Sequence, residues 1–86
     1  MTDCAVTFTR SARKELEALD AILANRIFSK IEALTREPRP PGCRKLMGEK
    51  ILWRIRVGDY RVVYAIYDDK RHVDIIAIRH RSKAYR

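Results

Sequence analysis

Histidine and cysteine are scarce in this chain, two of each among 86 residues. Cys4 and Cys43 are too few for a disulfide framework and lack Cys-x-x-Cys spacing, and with only His72 and His80 beside them no metal-ligand pattern arises. Free thiols in a reducing compartment, no metal and no other cofactor are therefore expected. No stretch is apolar for long enough to span a bilayer, and residues 1–10 lack the basic-then-apolar pattern of a secretory signal, so a cytoplasmic protein without a membrane partner is expected. Proline is sparse too, and all three prolines fall in Pro38-Arg39-Pro40-Pro41-Gly42, a stiff loop that cannot enter a sheet interior. The length suits a single domain, residues 1–86, with a modest core.

Positive charge is what the chain has in excess, and it is unevenly placed. Residues 1–38 balance their acids and bases, so the whole net charge of +8 lies in residues 39–86. A polyanionic partner, nucleic acid first and an acidic protein second, follows from such a half more readily than a small neutral substrate.

The most informative stretch runs from Trp53 through Arg54-Ile55-Arg56-Val57-Gly58-Asp59-Tyr60-Arg61 to Tyr64. Two β-rich runs flank Gly58-Asp59, and glycine at the first loop position suits a type II′ turn, so a tight hairpin is predicted. That loop sets Val57 opposite Tyr60, and hence Arg56 opposite Arg61, Ile55 opposite Val62, Arg54 opposite Val63 and Trp53 opposite Tyr64. Side chains alternate along a strand. Trp53, Ile55, Val57, Tyr60, Val62 and Tyr64 therefore share a face able to cover a core, and Arg54, Arg56 and Arg61 share the other. Like charges placed side by side are destabilising, so folding does not ask for this trio. It is either an anion site or a solvated face whose aliphatic stems lie over the sheet.

Around the hairpin, residues 4–9 are β-prone. Thr9 or Ser11 can cap a short helix whose buried stripe is Ala12, Leu16 and Leu19. Asp20 can cap a second, in which Leu23, Ile27, Ile31 and Leu34 recur at helical spacing beside Phe28, also expected in the core, until Glu37-Pro38 stops it. The two make an αα-hairpin whose Arg13, Lys14, Glu17, Arg26 and Lys30 read as a solvated face. Arg44-Lys45-Leu46-Met47-Gly48 leads from the proline loop towards the hairpin. Asp68-Asp69-Lys70-Arg71 is a further turn, and residues 73–78 form an apolar strand expected at the centre of the sheet or under a helix. Residues 79–86 have no apolar period and predict an exposed tail. If the last strand runs antiparallel to the second hairpin strand, that tail leaves level with Tyr60 and Arg61; a one-residue slip would exchange the strand's two faces.

This order of strand, two helices, proline loop, Lys45-Leu46-Met47-Gly48, arginine hairpin, and terminal His80-Arg81 then Ala84-Tyr85 resembles the RelE/ParE toxin superfamily, most of all its RelE branch. The likeness covers nearly the whole chain, and hairpin and tail are its most specific parts. It implies an α+β fold, a small mainly antiparallel sheet (β-α-α-β-β-β) packed against an N-terminal α-hairpin. It also implies the toxin of a type II toxin–antitoxin system, a messenger-RNA endonuclease acting in the ribosomal A site. The partners implied are the ribosome, the message and a cognate RelB-like antitoxin, for which the +8 charge argues acidity. Because some relatives continue into a helix after the tail tyrosine, the resemblance implies an antitoxin that covers the basic face or wraps the helices here.

Carried over by motif, the family's site residues fall on Arg54, Arg56, Arg61, Arg81 and Tyr85. RNA supplies its own nucleophile, the 2′-hydroxyl, so the protein must accept a proton, stabilise charge at the phosphorus and return a proton to the leaving oxygen. Guanidiniums suit the middle task because their donor fork matches two phosphate oxygens. Arg61 is the first choice for it, with Arg54 in support, and Tyr85 can stack on a base. Relatives carry lysines where Arg54 and Arg56 stand, and arginine hardly deprotonates. Histidine is the side chain whose unperturbed pKa lies near neutrality, so His80 becomes the candidate for proton transfer, the other reading being a polar residue at a strand end. Arg44, Lys45, Arg79, Lys83 and Arg86 are expected to hold RNA and ribosome. Two other functions fit the same fold class: a ParE-like inhibitor of DNA gyrase, and a nucleic-acid-binding module without catalysis.

Overall fold

The computed structural model describes residues 3–46 and 51–83. Its elements are β1 (Ala5–Phe8), α1 (Arg10–Glu17), α2 (Ala21–Ala33), β2 (Arg44–Lys45), β3 (Leu52–Val57), β4 (Tyr60–Tyr67) and β5 (His72–His80). The strands form one sheet in the order β1-β5-β4-β3-β2, antiparallel throughout except for the parallel pair β1 and β5. This is the α+β arrangement expected, with one addition. Arg44–Lys45 pairs with Trp53 and Arg54 as a two-residue edge strand, too short to show a period in the sequence.

Both helices start where an oxygen-bearing side chain can take the first free N–H groups. Thr9 Oγ1 accepts from Ala12 N at 3.1 Å, and Asp20 Oδ1 accepts from Leu23 N at 2.9 Å. The helices cover one face of the sheet. Ala12, Ile27, Ile31 and Leu34 meet Ile55, Val57, Val62, Tyr64, Ile66, Val73, Ile75 and Ile78 in one cluster, with Leu16, Leu19, Leu23, Trp53 and Tyr60 at its margin. Each fully buried aliphatic side chain contributes about 1.5–3 kcal/mol. Phe28 is a correction: it is 47% exposed. Ile27 and Ile31 already fill the inward stripe of α2, and Phe28, one residue round the helix from Ile27, lies at its flank beside Phe8 and Leu16.

The proline loop is tied down from three sides. The Tyr64 hydroxyl donates to Pro38 O at 2.7 Å, and burial raises its pKa. Arg39 makes a two-pronged pair with Asp68, Nη1 to Oδ1 at 3.1 Å and Nη2 to Oδ2 at 2.9 Å. The same guanidinium lies over the Trp53 ring at 4.9 Å, a placement that suits its planar cation.

Candidate functional site

The hairpin has the register that a two-residue loop requires, from Val57 opposite Tyr60 to Trp53 opposite Tyr64. Gly58 takes φ of 60°, which side chains with a β-carbon rarely adopt, as the first position of a type II′ turn needs. Arg54, Arg56 and Arg61 consequently share the sheet face turned away from the helices. Arg44 joins them as the partner of Arg54, whereas Lys45 pairs with Trp53 and belongs to the other face.

The last strand decides which tail residues reach that face. Val73 and Ile75 point into the core, but Tyr64 pairs with Ile75 and Val63 with Ala77, so Ile76 is an extra residue in β5. A bulge of this kind shifts the alternation by one. After it, Ile78 and His80 point to the helix side and Ala77 and Arg79 to the outer side, opposite Val63 and Arg61. Helix α1 holds the bulged end in place, because β1 stops at Phe8 and leaves that edge of β5 unpaired. Thr9 Oγ1 donates to Ile76 O at 3.0 Å, Glu15 Oε1 accepts from Ile78 N at 2.8 Å, and Glu15 Oε2 accepts from Arg79 Nε at 3.0 Å.

Arg81 then turns back to the hairpin. Its N–H donates to Asp59 O at 2.7 Å, and Arg56, Arg61 and Arg81 line one hollow with Gly58 and Asp59. His80 is not with them. It stands opposite Tyr60, ring edge to ring face at 5.3 Å, in a separate hollow with Glu15, Ala18 and Ser82. His80 Nδ1 lies 2.8 Å from Ser82 Oγ and 3.2 Å from the Ser82 N–H, contacts that tie the ring to the turn after β5. Arg44, Arg54, Arg56, Arg61 and Arg81 thus lie along one surface, Lys45 is on the other face, and Arg79, opposite Arg61 in register, pairs with Glu15 in the hollow that His80 lines. Lys83 ends the described chain in the 3₁₀ turn Arg81–Lys83, and Tyr85 and Arg86 lie outside the described residues, as do Met47 and Gly48.

The floor under the arginines is made of small residues. Val63, Ala65 and Ala77 are buried yet stand apart from the main core cluster, on the outer face. The Nε of Arg61 is buried there without a hydrogen-bond partner among the described residues, a loss of about 1–3 kcal/mol for a buried donor. Burial first, and then the charges of Arg61, Arg56 and Arg44, lower the pKa of Arg54. These are costs to folding that a bound anion would relieve. The donor forks of these guanidiniums fit the oxygens of a phosphate. Arg26 and Lys30, read from the sequence as part of a solvated face, are exposed and lie close to this cationic surface. Lys30 lines a groove with Arg44, Arg54 and Arg56, and Arg26 Nη2 would lie 3.8 Å from a β-carbon at Gly58. Their i, i+4 spacing was the available signal, but nothing in the sequence gave the angle at which α2 crosses β3.

Two helices on a five-stranded sheet, with cations gathered on the uncovered face around a tight hairpin, define a small α+β protein of the RelE/ParE type. The family model for the ParE toxin of the type II toxin–antitoxin system parDE matches residues 6–85. The chain belongs to this RelE/ParE superfamily and is a type II toxin of it. It is similar to the RelE of the archaeal RelE–RelB complex from Pyrococcus horikoshii OT3, at 29% identity and a TM-score of 0.83 over 98% of this chain and 100% of that one. It is also similar to the E. coli toxin of the intact RelBE complex, at 27% identity and a TM-score of 0.80 over 96% and 99% of the two chains. The YoeB/ParE toxin from Agrobacterium tumefaciens shares the fold, with 23% identity and a TM-score of 0.76 over 88% and 96%. No curated protein matches the chain. No described helix is long and apolar enough to cross a membrane.

Proposed function

We propose that this toxin is a ribosome-dependent messenger-RNA endonuclease that cleaves the message in the A site by attack of the RNA's own 2′-hydroxyl. The observation that carries this reading is the gathering of Arg56, Arg61 and Arg81 around the Gly58–Asp59 turn, with the Arg81 N–H fixed on Asp59 O. Arg61 and Arg81 hold the non-bridging oxygens of the scissile phosphate, Arg79 adds its charge from the register position opposite Arg61, and Arg54 lies further along the strand to hold the neighbouring backbone. Charge stabilisation of this kind is worth about 10²–10³ in rate for one well-placed donor.

The imidazole of His80 faces the helix side, so it positions the tail and leaves the phosphate to the arginines. Since arginine hardly deprotonates, proton transfer falls to Tyr85 or to groups of the ribosome, which agrees with an activity that needs the ribosome to complete the site. A cognate antitoxin is the second partner. The archaeal and E. coli RelE structures contain RelB-type antitoxins, and an acidic partner suits the potential of residues 39–86.

A ParE-like gyrase inhibitor is the competing reading, supported by the family model that matches the chain. Induced expression followed by mapping of message ends and of gyrase-linked DNA breaks separates the two. New message ends within codons, without added DNA breaks, are expected. DNA breaks with intact messages would replace the endonuclease by the gyrase reading.

A further inference from the structure

At the edge of β3, beyond the point where the two-residue β2 stops covering it, a groove opens between the sheet and α2. Lys30 of α2, Arg44 of β2, and Arg54 and Arg56 of β3 line it, and Pro40 and Pro41 form a stiff wall. Four cations from three elements converge here, and no carboxylate is among the lining residues. The other two cationic hollows differ in this respect: Asp59 lines one, and Glu15 lines the other, where it pairs with Arg79. Of these three hollows, the groove holds the least compensated positive charge.

Its floor and wall are apolar, with Ile55 and Ala33 beside the two prolines. An anion alone has no use for such a surface. An unstacked base does, and only a single strand offers one beside its phosphates, because a duplex turns its bases inward. Arg54 and Arg56 are two residues apart on a strand, about 6.8 Å along it, so each can serve a different phosphate of an extended chain.

We propose that this groove is a second RNA subsite, which holds the sugar–phosphate backbone of a single strand next to the Arg61 and Arg81 hollow, with Lys30 and Arg44 as phosphate ligands and Pro40-Pro41 as the surface under a base. Arg56 lines both cavities and joins them into one track that passes from the outer sheet face onto α2. The inference rests on the nucleic-acid reading given above but is independent of whether cleavage follows.

Fluorescence anisotropy with a labelled ten-nucleotide oligouridylate, titrated at several salt concentrations against the full-length toxin, tests it. The variants are Lys30→Gln, Arg44→Gln and Arg61→Ala, with thermal melting to check each fold. Each groove variant is expected to raise Kd and to lower the slope of log K against log salt by about 0.7, the value of one phosphate contact on a single strand. If Arg61→Ala weakens binding while Lys30→Gln and Arg44→Gln leave Kd and slope at parental values, the groove proposal falls and the outer-face reading stands. If the parent binds no oligouridylate, the groove proposal falls, while the endonuclease reading is decided by the message ends. A labelled oligoglutamate that binds more tightly than the RNA, and loses affinity in Lys30→Gln, would reassign the groove to an acidic protein segment. Should Arg44→Gln unfold by removing β2, Lys30→Gln decides alone, because Lys30 is an exposed residue of α2 whose side chain makes no ion pair among the described residues.

Discussion

The two faces of this sheet are built on opposite principles. The helix face buries Ile, Val, Leu and Tyr side chains in a single cluster, where the Tyr64 hydroxyl donates to Pro38 O at 2.7 Å and, among the described residues, the Trp53 indole N–H is left without a partner. The outer face buries only small side chains, Val63, Ala65 and Ala77, under guanidiniums that stand opposite one another, Arg56 to Arg61 and Arg61 to Arg79. One face is arranged to fold and the other to meet an anion. The difference teaches where stability and function separate in a chain this short: a core substitution should act on the fold, an outer-face substitution on the activity.

The largest effect expected on the helix face comes from Ile31→Ala. The side chain is 1% exposed, and its loss should cost about 2–5 kcal/mol, read as a lower urea midpoint. The toxin that remains folded should keep its activity. On the outer face, Arg61→Ala and Arg81→Ala should each lower single-turnover message cleavage on ribosomes by about 10²–10³-fold and abolish growth arrest, while the urea midpoint does not fall. Folded variants with full toxicity would dissolve the comparison.

Glu15→Gln probes the seam between the faces. It keeps an acceptor for the Ile78 N–H but loses the charge that holds Arg79, with side chains 28% and 44% exposed. Cleavage should fall by about fivefold, consistent with a partly exposed pair worth about 1 kcal/mol, and Glu15→Asp should recover little because the shorter carboxylate cannot reach both groups. His80→Gln should matter less, with a cleavage loss under about fivefold and the pH profile of the parent. A loss of 10²-fold or more together with a vanished inflection near neutrality would bring the imidazole into proton transfer.

The smallest effect is expected at Asp68. Its Arg39 hydrogen bond holds the carboxyl below the usual carboxylate pKa, so the stabilisation is present above the ordinary value near about pH 4 and disappears as pH falls through the depressed one. Parent and Asp68→Asn should differ slightly in Tm at neutral pH and converge in strong acid. A difference that persists in acid would assign the effect to packing of the proline loop.

The hairpin was legible because its information is local. A glycine at the first turn position, alternation on both sides and a two-residue loop leave one register, and that register places Arg54, Arg56 and Arg61 together without reference to the rest of the molecule. The caps Thr9 and Asp20 and the stripe Ile27, Ile31 and Leu34 were legible for the same reason. Phe28 was misread because an apolar residue beside a stripe gives no sign of how wide a strip of α2 the sheet can cover.

By itself the sequence determined the element types, the hairpin register, the gathering of charge in residues 39–86 and the membership in the RelE/ParE superfamily. The tertiary structure alone decided the place of His80. One extra residue at Ile76, accepted because Thr9 and Glu15 satisfy the backbone groups it leaves free, turns Arg79 to the anion face and His80 to the helices. A strand apolar on both sides carries no alternation from which such a bulge can be read, since Ile75, Ile76 and Ile78 can each be accommodated inside; only the fixed register of Tyr60 to His80, set by β4 and α1 together, chooses between them.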